Sequence, residues 1–183
     1  MVQKFSLSFG AKDHTMKEIM ALSDKIVTLK RNEFLKTSGS VDTNVYYIES
    51  GSLRISIFND DSEQTIRLGY KGNLIVALDS FITGAPSHLA IQALKKSSIR
   101  VISKYQINAF LQTESNRILW STLLESLIVQ QFEREIDLLT ESPLQRYKRV
   151  LQRSPQLFQE IPNKHIANYL RMSPETLSRL KKS

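Results

Sequence analysis

The chain has 183 residues, of which 41% are hydrophobic and 23% charged, a balance that supports a packed core and excludes wholesale disorder. It has no cysteine, which excludes disulfides, thiolate nucleophiles, cysteine-bound zinc and cysteine-ligated iron–sulfur clusters. The net charge of +7 is uneven: residues 1–140 carry 16 Lys and Arg against 15 Asp and Glu, whereas residues 141–183 carry 9 against 3. A compact basic piece on a neutral body is an electrostatic footprint for nucleic acid, because counterion release rewards clustered positive charge on phosphate. The bland alternative is a solvated charged end that aids solubility.

In chain order, MVQKFSLSFGAKDHTMKE opens the sequence without the basic-then-apolar order of a secretion signal. No apolar run approaches the ~20 residues that span a bilayer, so a cytoplasmic protein without membrane contact is expected. An amphipathic helix is predicted over roughly His14–Lys25, with Met16, Ile19, Met20 and Leu22 as its apolar positions. From Ile26 to Ser103 the texture is strand-like. Tyr46-Tyr47-Ile48, Leu53 to Phe58, Thr65 to Leu68 and Ile99 to Ile102 are rich in β-branched or aromatic residues. Leu53, Ile55 and Ile57 alternate with Arg54 and Ser56, which places three apolar side chains on one face of a strand. Turns are expected at Ser38-Gly39-Ser40, Ser50-Gly51-Ser52, Asn59-Asp60-Asp61-Ser62 and Lys71-Gly72-Asn73. Many short strands at near-regular spacing predict an antiparallel roll, barrel or sandwich.

From about Tyr105 the pattern is helical. Trp120, Leu124, Ile128, Phe132 and Ile136 recur every four residues, joined by Leu123, Leu127 and Leu139. At 3.6 residues per turn a four-residue step drifts by roughly 40°, so the apolar surface winds around the helix and needs two partners. The expected partners are the β-roll and a second copy of the chain, with Trp120, Leu124, Leu127, Ile128 and Phe132 as dimer-helix residues; the alternative is burial within one monomer. Ser142-Pro143 reads as N-cap and first residue of a short helix through Arg153. Pro162 then opens a helix with Ile166, Ala167 and Leu170 as its apolar positions. Arg171-Met172 turns, and Ser173-Pro174 caps a second helix with Leu177 and Leu180 inside. Small Ala167 permits a close crossing and Met172 fills the angle, which is helix-turn-helix spacing. The candidate DNA-binding residues are Lys164, Ser173, Pro174, Glu175, Thr176, Ser178, Arg179 and Lys182. Arg179 suits guanine O6/N7, Glu175 suits cytosine N4, and the hydroxyls of Thr176 and Ser178 suit phosphate or base edges. The competing reading is an αα-hairpin that merely packs.

These residues carry a family resemblance over nearly the whole chain. Tyr46-Tyr47-Ile48-Glu49-Ser50-Gly51-Ser52-Leu53-Arg54, the stretches Asp79 to Ser87 and Ile91 to Leu94, and Lys164 to Ala167 with Ser173 to Arg179 together resemble the Crp/Fnr superfamily of dimeric bacterial transcription regulators, in particular its short Bacteroidetes-type members. The resemblance implies an α+β chain: an N-terminal antiparallel β-roll (a jelly-roll-like double-stranded β-helix), a long dimerisation helix and a C-terminal all-α helix-turn-helix. The expected domains are a cyclic-nucleotide-binding-like sensor over residues 1–104, the dimerisation helix over 105–141 and a DNA-binding domain lacking a wing over 142–183. The implied effector pocket is Gly72, Asn73, Leu74, Ser80, Pro86, Ser87, His88 and Ala90. Implied partners are double-stranded DNA, a second copy, RNA polymerase and a small-molecule effector.

The departures from that family are informative. Nucleotide-responsive members have Gly-Glu-Leu where this chain has Gly72-Asn73-Leu74, and His88 stands at the place of their phosphate-binding arginine. A buried phosphate needs a permanent charge, so cyclic AMP and cyclic GMP are expected to bind weakly or not at all. His88 reads more simply as a polar residue at a pocket rim; the effector is unidentified and no cofactor is required. Arg171 replaces the usual turn glycine, at a cost on the order of 1 kcal/mol. An enzyme is disfavoured: His14, His88 and His165 lie one in each segment, too dispersed for a cupin metal cluster, and no Gly-x-Ser-x-Gly, Walker A or Gly-x-Gly-x-x-Gly motif occurs. No catalytic or metal-ligating residue is therefore assigned. The alternative function is an effector-binding or protein-interaction dimer that has lost specific DNA binding.

Overall fold

The computed structural model describes residues 16–59 and 62–182. His14, Asp60 and Asp61, which belong to the predicted first helix and the third predicted turn, lie outside the described residues. Residues 16–20 are helical (α1), and fully buried Ile19 anchors them against Val45, Phe81, Ile102 and Ile107.

Eight antiparallel strands follow: β1 Ile26–Leu29, β2 Phe34–Lys36, β3 Val45–Ser50, β4 Ser52–Asn59, β5 Ser62–Tyr70, β6 Leu74–Ile75, β7 Ala90–Ala93 and β8 Ser97–Ile102. They form two four-stranded sheets, ordered β1-β8-β3-β6 and β2-β7-β4-β5, so the chain passes repeatedly from one sheet to the other and rolls up. A short helix, α2 (Leu78–Thr83), interrupts the path between β6 and β7. Ile48, Leu53, Ile55, Ile75, Ile91 and Ile99 fill the space between the sheets. Leu53 and Ile55 point inward as expected, and Ile57 is half-buried. Ser56, on the opposite face, is also fully buried, because that face is covered by helices from the far end of the chain.

The helical segment expected over 105–141 is two helices, α3 (Lys104–Phe110) and α4 (Glu114–Leu139), each started by its own cap. The Ser103 and Thr113 hydroxyls accept the first-turn amides of Gln106 and Asn116. At 1.5 Å per residue α4 is about 39 Å long. The remaining helices are α5 (Pro143–Arg153), α6 (Leu157–Glu160), α7 (Asn163–Tyr169) and α8 (Pro174–Leu180). Val150, Leu157, Ile161, Ile166, Ala167, Leu170 and Leu177 make their core, which also takes in Leu68 and Leu94 from the roll. This helical head therefore shares one apolar core with the second sheet. Among the described residues no helix is long and apolar enough to cross a membrane.

Candidate nucleic-acid interface

The α7–α8 pair has the connection its sequence predicts. Ala167 is fully buried at the crossing, and Met172 is partly buried in the same cluster. The Ala167 carbonyl accepts the Met172 amide at 3.0 Å and the Asn168 carbonyl accepts that of Arg171 at 3.1 Å. Arg171 adopts φ 55°, the left-handed conformation that glycine would take without strain. Ser173 caps α8 by accepting the Thr176 amide at 3.2 Å, and Pro174 occupies the first turn where a missing N–H costs nothing.

Leu177 turns into the head core, so the opposite face of α8 faces solvent. Ser173, Pro174, Glu175, Ser178, Arg179 and Lys182 are exposed, and Thr176 is half-buried beside the cap. Lys164 is exposed on α7. Hydrogen bonds from its own backbone amide and from the Ser173 hydroxyl hold the Glu175 carboxyl below its ordinary range, which keeps it an acceptor. Lys181 is engaged internally: its Nζ donates to Asn163 Oδ1 at 2.6 Å and sits 5.6 Å from the Phe158 ring.

Two residues not singled out in the sequence fix where this head sits. Arg146 on α5 is buried without a carboxylate, and its guanidinium donates to the carbonyls of Leu170 (2.8 Å), Arg171 (3.1 Å), Thr140 (2.6 Å) and Glu141 (2.9 Å). It joins the end of α4 to the turn between α7 and α8, satisfying carbonyls that helix ends leave without partners. Asn168 on α7 reaches the roll: Oδ1 accepts the Thr65 amide at 2.7 Å and Nδ2 donates to the Glu63 carbonyl at 2.9 Å. An asparagine within a helix is a poor helix former, the one local hint that its side chain has another task. Nearby, Arg54 pairs with Glu63 at 2.6 Å, donates to Gln92 and faces the buried His165 Nδ1 at 3.4 Å. Burial first, then the neighbouring Arg54, Lys164 and Arg31 charges, pushes the His165 imidazole down to about 4.

The long helix has two unlike surfaces. Trp120 lies 6.2 Å from the Phe81 ring, and Leu124 and Leu127 line a narrow apolar cleft of about 20 Å³ against Val45, Leu74 and Phe81. Ile128 (55% exposed) and Phe132 (61%) turn away from the roll together with Ile118, Val129 and Ile136. The five residues expected on a dimer surface thus divide, three toward the roll and two outward.

The eight residues of the expected effector pocket are dispersed. Leu74 lines the apolar cleft. Gly72 (φ 87°) and Asn73 build a turn in which Asn73 Oδ1 accepts the Tyr70 amide at 3.1 Å. Ser80 is buried, donating to the Ala85 carbonyl and accepting the Asp42 amide. Ser87 and Ala90 are buried, whereas Pro86 and His88 are exposed. The buried cation beside this loop is Lys36, whose Nζ donates to the carbonyls of Thr37 (3.0 Å), Ser87 (3.2 Å) and Leu89 (2.7 Å). Its three protons are thereby committed to backbone oxygens, and burial lowers its pKa. An open polar cleft of about 330 Å³ lies next to it, lined by Lys36, Thr37, Ser40, Asp42, Asn44 and Tyr46. The Asp42 carboxylate accepts from the Asn44 amides and from the Tyr46 hydroxyl. A cyclic phosphate needs an uncommitted cation, and a ribose a free carboxylate; the residues present do not fit that ligand. Among the described residues no group of three His, Asp or Glu is placed to hold a metal ion.

The sequence matches the profile of the cyclic nucleotide-binding domain over residues 26–114, from β1 to the first residue of α4. No curated protein matches the chain. Solved structures share the fold of the roll together with its helical head. FixK2 from Bradyrhizobium japonicum is 17% identical, with 86% of this chain and 82% of that one covered and a TM-score of 0.71. The c-di-GMP-responsive global regulator CLP of Xanthomonas campestris is 18% identical, with coverage of 93% and 90% and a TM-score of 0.66. TTHB099, a CRP-family transcriptional regulator from Thermus thermophilus, is 14% identical, with coverage of 85% and 82% and a TM-score of 0.62. The roll and the helical head of this chain thus share the fold of these three proteins.

Proposed function

We propose that the chain is a transcription regulator that binds DNA as a homodimer and reads an inverted repeat through α8. The observation that carries this reading is the division of α8. Leu177 is committed to the head core, while Glu175, Ser178 and Arg179 face solvent on a head of strongly positive charge. Arg179 donates to guanine O6 and N7, Glu175 accepts from cytosine N4, and Lys164 and Lys182 meet phosphates. Outward-facing Ile128 and Phe132 on α4 support pairing with a second copy, and two-fold symmetry then sets the half-sites about one helical turn, ~34 Å, apart. The sensor domain answers to something other than cyclic AMP or cyclic GMP, because Lys36 and Asp42 are already internally paired.

The test is selection from a random duplex pool, followed by salt titration of the selected sites. The expected result is an inverted repeat bound less tightly as salt rises, with Arg179→Ala relaxing discrimination at one base pair by roughly 1–3 kcal/mol. A folded dimer that enriches no repeat overturns this reading in favour of a partner-binding dimer without DNA specificity.

A further inference from the structure

We propose that Asn168 is a positioning residue for the reading head: its carboxamide stands in for the N–H and C=O of one residue of a neighbouring strand on the free edge of β5, and this joint sets the separation of the two recognition helices. The proposal rests on the DNA-reading function above and specifies what holds that site in place.

In the sheet order β2-β7-β4-β5 the outer side of β5 has no strand beside it among the described residues. On the edge of an antiparallel sheet, the carbonyl of one residue and the amide of the residue two further on point outward together. Glu63 and Thr65 are such a pair, and Asn168 meets both with one planar amide, at 2.9 Å and 2.7 Å. This is the hydrogen-bond pattern that a residue of a neighbouring strand would supply. The joint is buried on the sheet side, where Thr65 is 1% exposed.

The other contacts between head and roll are less directional. Leu68 and Leu94 share the head's apolar core, but apolar contact tolerates sliding. Lys95–Glu160 is a half-exposed ion pair, worth little in salt. Arg54 reaches His165 only at 3.4 Å and spends its better bonds on Glu63 and Gln92 within the roll. Among the described contacts between head and roll, Asn168 alone gives a two-point register on the roll's backbone atoms. Ala167, Leu170, Met172 and Leu177 pack α7 and α8 into one core, so a register on α7 is passed to Glu175 and Arg179 on α8. Because α8 remains exposed in the docked pose, the joint does not mask the reading surface; it determines where that surface is presented.

The experiment uses the full chain with Asn168→Ala and two readouts. The first is affinity for the selected inverted repeat, for variants with the half-sites moved by one or two base pairs, and for a duplex with a single half-site. The wild type is expected to prefer one separation by about tenfold or more. Loss of two neutral hydrogen bonds, worth on the order of tenfold, is expected to shrink that preference to about threefold while single-half-site affinity stays within about twofold. The second readout is hydrogen exchange, independent of DNA: the Thr65 amide is protected in the wild type and exchanges about tenfold faster in the variant, with the Leu53 amide unchanged. An unprotected Thr65 amide in the wild type overturns the joint itself. A variant with a fast Thr65 amide and an intact spacing preference overturns the positioning role, as does an equal loss of affinity at a single half-site. If the wild type binds no duplex while Thr65 is protected, the joint exists but DNA reading fails, and positioning for DNA falls with it. Should the alanine variant not fold, Asn168→Asp carries the same readouts, since it keeps the acceptor for Thr65 and sets a negative oxygen against the Glu63 carbonyl.

Discussion

Replacing Arg146 tests how the long helix and the head are joined. One guanidinium serves four carbonyls, two at the end of α4 and two at the turn between α7 and α8. In Arg146→Met the aliphatic stem and its packing remain and only the donors go. Thr140, Glu141 and Arg171 are not buried, so their carbonyls regain water and each loses a net of about 0.5–1.5 kcal/mol. Leu170 is fully buried, and its carbonyl bears an unrelieved desolvation cost of about 1–3 kcal/mol. The expected loss is on the order of 4 kcal/mol, a large share of the 5–15 kcal/mol that folded domains have. Arg146→Lys keeps the charge but not the fork, and a single ammonium cannot span both helix ends, so about half that loss is expected. Urea titration followed by circular dichroism measures both variants. A lysine variant within 0.5 kcal/mol of wild type, on the scale of an ordinary surface change, would falsify the bridging role, because charge alone would then suffice.

Three further predictions follow from other features. Arg171→Gly relieves a side chain at φ 55° and should raise stability by about 0.5–1 kcal/mol, after the extra chain entropy of glycine is subtracted; a lower urea midpoint contradicts the strain. Because the His165 imidazole is pushed down to about 4, its contribution is full above the ordinary value near 6.5 and is lost as pH falls from there through about 4. Urea midpoints at pH 7 and pH 4.5 should therefore diverge more in wild type than in His165→Asn, and equal divergence sinks the assignment. Phe132→Asp places a charge on the outward face of α4, where Phe132 is 61% exposed; with pairing through this face as proposed, the wild type sediments as a dimer at micromolar concentration and the variant as a monomer. A folded variant that still sediments as a dimer puts the interface elsewhere.

The parts of this chain that were legible in its sequence are those whose causes are local. Ser173-Pro174, Ala167 and the turn at Arg171 specify the two-helix motif within a dozen residues, and the structure reproduces each of them. The strands around Tyr46, Leu53, Thr65 and Ile99 also follow from local pattern. Short β1, β2, β6 and β7 do not, since strands of two to four residues are selected by their partners across the sheet. On α4 the four-residue repeat shows that two surfaces exist without showing which residues belong to each. Its C-terminal buried positions turn out to be Arg134, stacked on Tyr169, and Asp137, held by Arg149 and Arg153. The residues that place the site were least visible. Lys36, Arg146 and Asn168 find their partners 51, 24 and 103 residues away in sequence, and a polar residue with a distant backbone partner has no local signature.

The same carboxamide that registers the head also closes a sheet. A nine-residue strand with a bare outer edge is a template for pairing with any extended chain, and proteins commonly protect such edges with charge, proline or a bulge. Here β5 carries a register shift against β4 and is shielded by a helix from the far end of the polypeptide. Its protection is therefore completed only after the last helices have folded and docked. While the chain is being synthesised, the roll emerges with this edge open, and the interval before the head arrives is when strand addition and aggregation compete with folding. Substitutions that loosen the head should thus lower the yield of intact protein even where they leave the isolated roll untouched.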